Sequence, residues 1–296
     1  MGNRIPIAIA PALLALLALA GCSPAGPAAV PPVAPASQPQ SITAFAASSG
    51  RQALESAAAA FEAKTGTKIF LRFGASGNLL SQMKIARSGD LFFPASPDFM
   101  QMATRDGVLD VSTEVRIAYL IPAILLRKGN PASIKGLADL ARPGLKIAIA
   151  DPRTVPAGRF AYEIMEYNHL LQDIARNVVT YGESHERIVS LVILRSVDAA
   201  ITWDISFRQR PGELDAVYLK PNQVPRLSYM SGAVTRFSGH RETASRFLRF
   251  LTSAEGQDLL RQNGYYTSES QVRELAPTAR LGGEYELPVD YRPLVK

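Results

Sequence analysis

Cysteine is almost absent from this sequence: Cys22 is the only one among 296 residues. A lone thiol cannot close an internal disulfide, and it excludes a cysteine-based zinc site. Histidine is scarce as well. His169, His185 and His240 are the only three, with no i, i+4 pair among them, so the spacing of a helical metal site is missing. The basic residues are dispersed and exceed the acidic ones only enough to give a net charge of +6. Without a Lys/Arg cluster or basic–aromatic interleaving, the signature of a nucleic-acid surface is lacking, while a weak positive field still favours an anionic ligand. No G-x-S-x-G elbow surrounds Ser49 or Ser76. A hydrolase built from either serine with His185 and Asp204 therefore lacks its sequence setting, and the chain is read as a non-enzyme.

What is present begins with an address. Hydrophobic residues make up 47% and charged residues 20%, a globular balance with enough chain for one large or two medium domains. Arg4 precedes the apolar run "IPIAIAPALLALLALAG", which is marginal as a membrane span and is interrupted by Pro6 and Pro11. The run ends in Leu19-Ala20-Gly21-Cys22, which resembles the bacterial lipoprotein signal. That resemblance implies cleavage after residue 21 and acylation of Cys22. Residues 22–40 are rich in proline and nearly uncharged, a semi-extended tether that cannot bury a core. At ~3.1 Å per residue it holds the following domain tens of ångströms from the membrane. The expected location is extracytoplasmic, lipid-anchored to a bacterial membrane.

From Ser41 one grammar recurs. "SITAF" leads into "AASSG" and then a stretch that places Leu54, Ala57, Ala58 and Phe61 on one helical face, with Gly66 as its stop. "KIFLRF", "GASG" and "NLLSQMKIA" repeat the pattern. "GLKIAIA", "DPRTVPAG" and "RFAYEIMEY" do so again, with Pro156 near a helix start. "NVVTY", "GESHE" and "RIVSLVIL" make the fourth unit. Such alternation predicts an α/β protein with largely parallel sheets. In each unit a turn rich in Gly, Ser or Thr lies at a strand's carboxyl end, where open α/β sheets bind ligands. A helix start there offers unpaired N–H groups and a positive dipole end to an anion, although Ser and Gly at such places usually serve as caps.

Three segments carry a family resemblance. "ITAFAASSGRQALESAAAAFEAKTGTKIFLRFGASGNLLSQM", "DPRTVPAGRFA" and "ETASRFLRFLTSAEGQDLLRQNGY" resemble the periplasmic molybdate-binding proteins of ABC importers, over about residues 41–265. The resemblance implies a two-lobed fold of the periplasmic-binding-protein type II class, each lobe a mixed sheet flanked by helices, with the ligand cleft between them. Lobe I is expected to take 41–117 and 229–296, and lobe II 118–228. The ligand implied is a tetrahedral oxyanion, molybdate or tungstate first. The partner is a membrane permease, the binding protein acts as a monomer, and no cofactor is required. Carried over position by position, the ligand-binding residues are Ser49, Ser76, Ala95 and Ala157. At two further positions the chain departs from its relatives: His185 stands where valine is common, and Trp203 where tyrosine is found.

Those departures have physical content. An indole N–H donates but cannot accept, unlike the hydroxyl it replaces. An imidazole adds a donor whose charge changes near neutral pH; protonated, it would strengthen dianion binding and make affinity fall as pH rises. The alternative for His185 is a solvent-facing helix residue. "GDLFFPASPDFM" also departs from the family pattern, so another oxyanion or a small anionic organic compound is an alternative ligand, and a sensor without transport is an alternative role. The tail 267–296 lies beyond the resemblance and is expected to pack along a lobe or to dock a partner.

Overall fold

The computed structural model describes residues 41–295, so the expected signal peptide, Cys22 and the 22–40 tether lie outside the described residues. The chain begins with β1 (Ser41–Ala47), α1 (Arg51–Thr65), β2 (Lys68–Gly74), α2 (Ser76–Ala86), β3 (Leu91–Phe93), α3 (Pro97–Arg105) and β4 (Val115–Leu120). It continues with β5 (Pro122–Arg127), β6 (Ile147–Ala150), α4 (Pro156–Tyr167), α5 (Leu171–Ala175), β7 (Val178–Gly182), α6 (His185–Ile193), β8 (Ala199–Trp203), α7 (Ile205–Gln209) and β9 (Leu214–Tyr218). It closes with β10 (Arg226–Val234), α8 (Arg241–Thr252), α9 (Ala254–Gln262), α10 (Glu269–Leu275) and β11 (Arg280–Leu281).

Local chemistry accounts for these boundaries. α1 buries Ala53, Leu54, Ala57, Ala58 and Phe61 on one face, and Gly66 ends it in the left-handed region at φ +68°. α4 starts on Pro156 at its first position, where the missing N–H costs nothing. α6 is capped by Ser184, whose hydroxyl accepts from the Arg187 N–H at 3.2 Å.

The strands form two mixed sheets. In the first, the order is β11-β10-β3-β1-β2, with β4 also paired to β10. β1 runs parallel to β2 and β3, while β10 is antiparallel to β3 and β4. The second has the order β7-β6-β8-β5-β9, parallel across β7, β6 and β8 and antiparallel around β5. The molecule is thus a two-lobed type II binding-protein fold, one sheet to a lobe. The chain passes between sheets at Ile121 and again across residues 219–225. The positions expected as boundaries, 117/118 and 228/229, lie inside β4 and β10; for the first, 115–127 is one almost unbroken apolar run in which only Pro122 marks the change of sheet.

β5 explains how tightly the second sheet is enclosed. Its Leu125 belongs to one buried apolar cluster, while Ile124 and Leu126 belong to another on the opposite face. A sheet covered on both faces reads as continuous hydrophobic sequence, as β5 does. The first cluster joins the lobes, holding Ile42, Leu54 and Phe247 together with Ala150, Ile188 and Trp203. Fully burying each such large side chain contributes about 1.5–3 kcal/mol.

The carboxyl-terminal tail touches both lobes. Val272, Ala276 and Ala279 enter the second cluster, alongside Ile124 and Ile149. Farther on, Tyr285 N–H donates to Asp98 on α3 at 2.9 Å, and its hydroxyl donates to Glu166 on α4 at 2.5 Å. The Tyr181 and Tyr291 hydroxyls meet at 3.0 Å. Beneath this strap Arg226 is fully buried, donating from Nε to Glu163 at 2.6 Å and from Nη1 to Asp98 at 3.1 Å, with its guanidinium 4.1 Å from the Phe160 ring centre. Burial raises the Glu163 carboxyl above its ordinary range despite the arginine beside it. Among the described residues no helix is long and apolar enough to cross a membrane.

Candidate functional site

Strand ends from both lobes converge on one small recess. β1 ends at Ala47, and the chain turns through a single 3-10 turn, Ser48–Gly50, before α1. From the other lobe, β7 delivers Ser184 and His185, and β8 delivers α7 with Ser206. Between them lies a cavity of about 50 Å³, walled by Ser48, Ser49, His185, Ser206, Gln209 and Arg210. A space of roughly 10–15 Å³ is enough for one water, whose share of the liquid is about 30 Å³, so the cavity has room for a small polar solute. Arg51 and Glu186 stand at its edge and pair across the lobes at 2.5 Å, with the Arg51 guanidinium 4.2 Å from the Phe73 ring centre.

The wall is polar and only partly satisfied. Ser49 is 5% exposed, and its Oγ is buried with no hydrogen-bond partner. The backbone behind it is fixed, since the Ser49 carbonyl accepts from the Tyr265 hydroxyl. A buried hydroxyl without a partner is uncommon in folded proteins and calls for an explanation.

His185 differs from the sequence expectation. It is buried, neither solvent-facing nor free to charge near neutral pH. Burial, reinforced by Arg210, pushes its pKa down to about 4, so the ring is neutral under physiological conditions. Both ring nitrogens are engaged, Nδ1 with Thr202 Oγ1 at 3.0 Å and Nε2 with Ser206 Oγ at 2.8 Å. Asp204 is not its partner: that carboxylate accepts from the Tyr266 hydroxyl at 3.0 Å and from Tyr218 at 3.1 Å. Burial nevertheless raises Asp204 to about 6, against the opposing effect of those hydroxyls and of Arg208. A serine, an imidazole and a threonine hydroxyl in a row lack the carboxylate that orients and stabilises an imidazolium in a hydrolytic triad.

The other expected residues stand outside this wall. Ser76 is fully buried, but it is the first residue of α2 rather than its cap; Ala75 holds the cap position. The Ser76 hydroxyl instead accepts from the Ala95 N–H at 3.4 Å. The Gly77 N–H donates to the Thr154 carbonyl of the other lobe at 2.9 Å. A Cβ on Gly77 would lie 2.9 Å from Thr154 Cα, so the close approach of α2 to the turn before α4 requires glycine. Ala157 and Trp203 share the buried apolar cluster that joins the lobes. The indole packs edge-on against Phe160, with ring centres 4.9 Å apart. The structure therefore brings Ser49 and His185 to one cavity, joins Ser76 to Ala95, and leaves Ala157 and Trp203 in apolar packing.

Sequence reading missed Ser206, Thr202 and the Arg51–Glu186 pair. "AAITWDIS" is a fifth strand–turn–helix unit, but its turn has no glycine and so does not stand out. The signal available was the hydroxyl of Ser206 just past a buried strand end. Next to the cavity, and sharing Ser48 and Glu186 with it, runs an open groove of about 440 Å³ lined by Arg72, Asn78, Gln82 and Ser184.

Comparison with known proteins accords with this geometry. The family described as bacterial extracellular solute-binding protein matches residues 42–266. A putative binding protein of Haemophilus influenzae is 25% identical over 141 residues, covering 48% of this chain and 57% of its own, so the match spans little more than half of that relative. The molybdate-binding protein ModA of Mycobacterium bovis is 26% identical over 248 residues, covering 83% of this chain and 92% of its own. Among solved structures, the sulfate-binding protein SubI of Mycobacterium tuberculosis shares the fold, with a TM-score of 0.70 at 19% identity, covering 82% of this chain and 94% of that one.

Proposed function

The chain belongs to the bacterial extracellular solute-binding proteins, and from that premise we propose that it captures a small tetrahedral oxyanion, molybdate or tungstate first, for uptake by a membrane permease. The observation that carries this reading is Ser49, which lines the small cavity between the lobes and whose Oγ is buried without a hydrogen-bond partner. Hydroxyl donors suit a fully deprotonated oxyanion, since each gives a charge-assisted hydrogen bond and the site needs no full countercharge. The ModA relative adds weight to molybdate, because it aligns over nearly its whole length. Cys22 supplies the lipid anchor and residues 22–40 the tether, so that a monomer hands its ligand to the permease at the membrane surface. Ser76, Ala95 and Ala157 enter the ligand shell when the lobes adjust around the anion.

A second reading rests on the adjoining groove. Arg72, Asn78 and Gln82 would receive the body of a small anionic organic compound whose charged head fills the cavity.

Thermal unfolding in molybdate, tungstate, sulfate, phosphate and small carboxylates tests both readings. A ligand at a hundred times its dissociation constant stabilises the folded state by about 2.7 kcal/mol, which is a clear rise in melting temperature. A rise with an inorganic oxyanion supports the first reading, and a rise confined to organic anions supports the second. No rise with any anion removes both.

A further inference from the structure

We propose that Ser206 donates its hydroxyl proton to the bound anion, and that His185 is a positioning residue that frees that proton for the purpose. The proposal rests on the anion-capturing reading above and goes beyond it by naming a donor from the second lobe and the group that aims it.

A neutral imidazole carries one N–H, so it donates from one nitrogen and accepts at the other. Thr202 is 1% exposed in the middle of the second sheet, and the partner of its Oγ1 is His185 Nδ1. A buried hydroxyl proton needs an acceptor. Nδ1 meets that need only if it carries no proton itself. The ring proton then resides on Nε2, which donates to Ser206 Oγ across 2.8 Å. With a lone pair of Ser206 occupied by that bond, its own proton is free to point elsewhere, and Ser206 lines the cavity. In the opposite tautomer Ser206 would donate to the ring and turn only lone pairs toward an anion, which repels it. Thr202 thus selects the tautomer, His185 transmits the selection, and Ser206 faces Ser49 with a donor from the other lobe. Two hydroxyls from two lobes let closure and anion recognition occur together.

Calorimetric titration with molybdate, and with sulfate in parallel, tests this on wild type, Ser206→Ala, His185→Leu and the double variant. Ser206→Ala should bind about tenfold to a hundredfold more weakly, the range for one hydrogen bond to a charged group. His185→Leu should lose a similar factor, and the double variant should bind no more weakly than the worse single one, because the residues act as one unit. Multiplying losses would mean that His185 acts on the anion directly, and an unchanged Ser206→Ala would remove Ser206; either overturns the proposal. Failure of the underlying reading is distinguishable, since wild type itself would then bind neither anion, and the proposal would fall with it. Ring ¹⁵N spectra of the wild-type protein give an independent check even if His185→Leu does not fold: a protonated Nε2 and bare Nδ1 are expected, and the reverse tautomer overturns the proposal.

Discussion

Ser49 carries the sharpest prediction at the residue scale, because stability and binding should move in opposite directions. In the ligand-free protein its hydroxyl is buried and unpaired, which costs free energy. Ser49→Ala should therefore leave the unliganded protein unchanged or more stable by about 1 kcal/mol. The same variant should bind oxyanion about tenfold to a hundredfold more weakly. Denaturant unfolding without anion and calorimetry with it measure the two sides; a loss in both would mark Ser49 as a structural residue. This position was legible in the sequence because a serine after a strand and before a helix has a meaning independent of its surroundings. His185 was not. Its position at a helix start could be read, but its neutrality depends on burial against Thr202 and Ser206, which are distant in the chain order and carry no motif.

At the scale of elements, the strand–turn–helix units were readable because their causes are local: the apolar face of α1, the left-handed Gly66, Pro156 at the head of α4. What local pattern could not reveal is which helix starts meet. α2 and the turn before α4 come from different lobes, and their junction is the Gly77 N–H to Thr154 carbonyl bond. Gly77→Ala should break that junction, since its Cβ would fall 2.9 Å from backbone. The lobes would be wedged apart at that point, at the expense of the apolar cluster they share, while both sheets stay formed. Small-angle scattering should then show a larger radius of gyration without ligand, and far-ultraviolet circular dichroism should be unchanged. An identical scattering profile would show that the junction yields without moving the lobes.

For the molecule as a whole, two buried groups give opposing contributions to stability in acid. His185 falls from 6.5 to about 4 on folding, so its contribution is full above pH 6.5 and is lost as pH drops toward 4. Asp204 rises from 3.8 to about 6, so its contribution is full below pH 3.8 and is lost as pH climbs toward 6. Each displacement is worth about 3 kcal/mol at ~1.4 kcal/mol per tenfold change in proton affinity. Between pH 4 and 6 the two nearly cancel, and from these groups alone wild type should show a flat profile. Asp204→Asn should unmask the histidine, with stability falling on acidification. His185→Gln should unmask the aspartate, with stability rising over the same interval. Melting temperatures of the three proteins across that range check the pair, and parallel profiles would exclude both assignments.

The strap formed by the tail also bears on time rather than on equilibrium. Tyr285 is bonded to α3 in one lobe and α4 in the other, and Tyr291 and Leu294 are fixed to Tyr181. A hinge motion that parts α3 from α4 must release one of the two Tyr285 bonds in addition to bending the two chain crossings. The strap loads entry and exit of the ligand by the same increment, so it slows both rates while leaving their ratio untouched. Two proteins of equal affinity, one with such a strap and one without, would then differ in dwell time: the strapped one is built to keep its cargo long enough to deliver it.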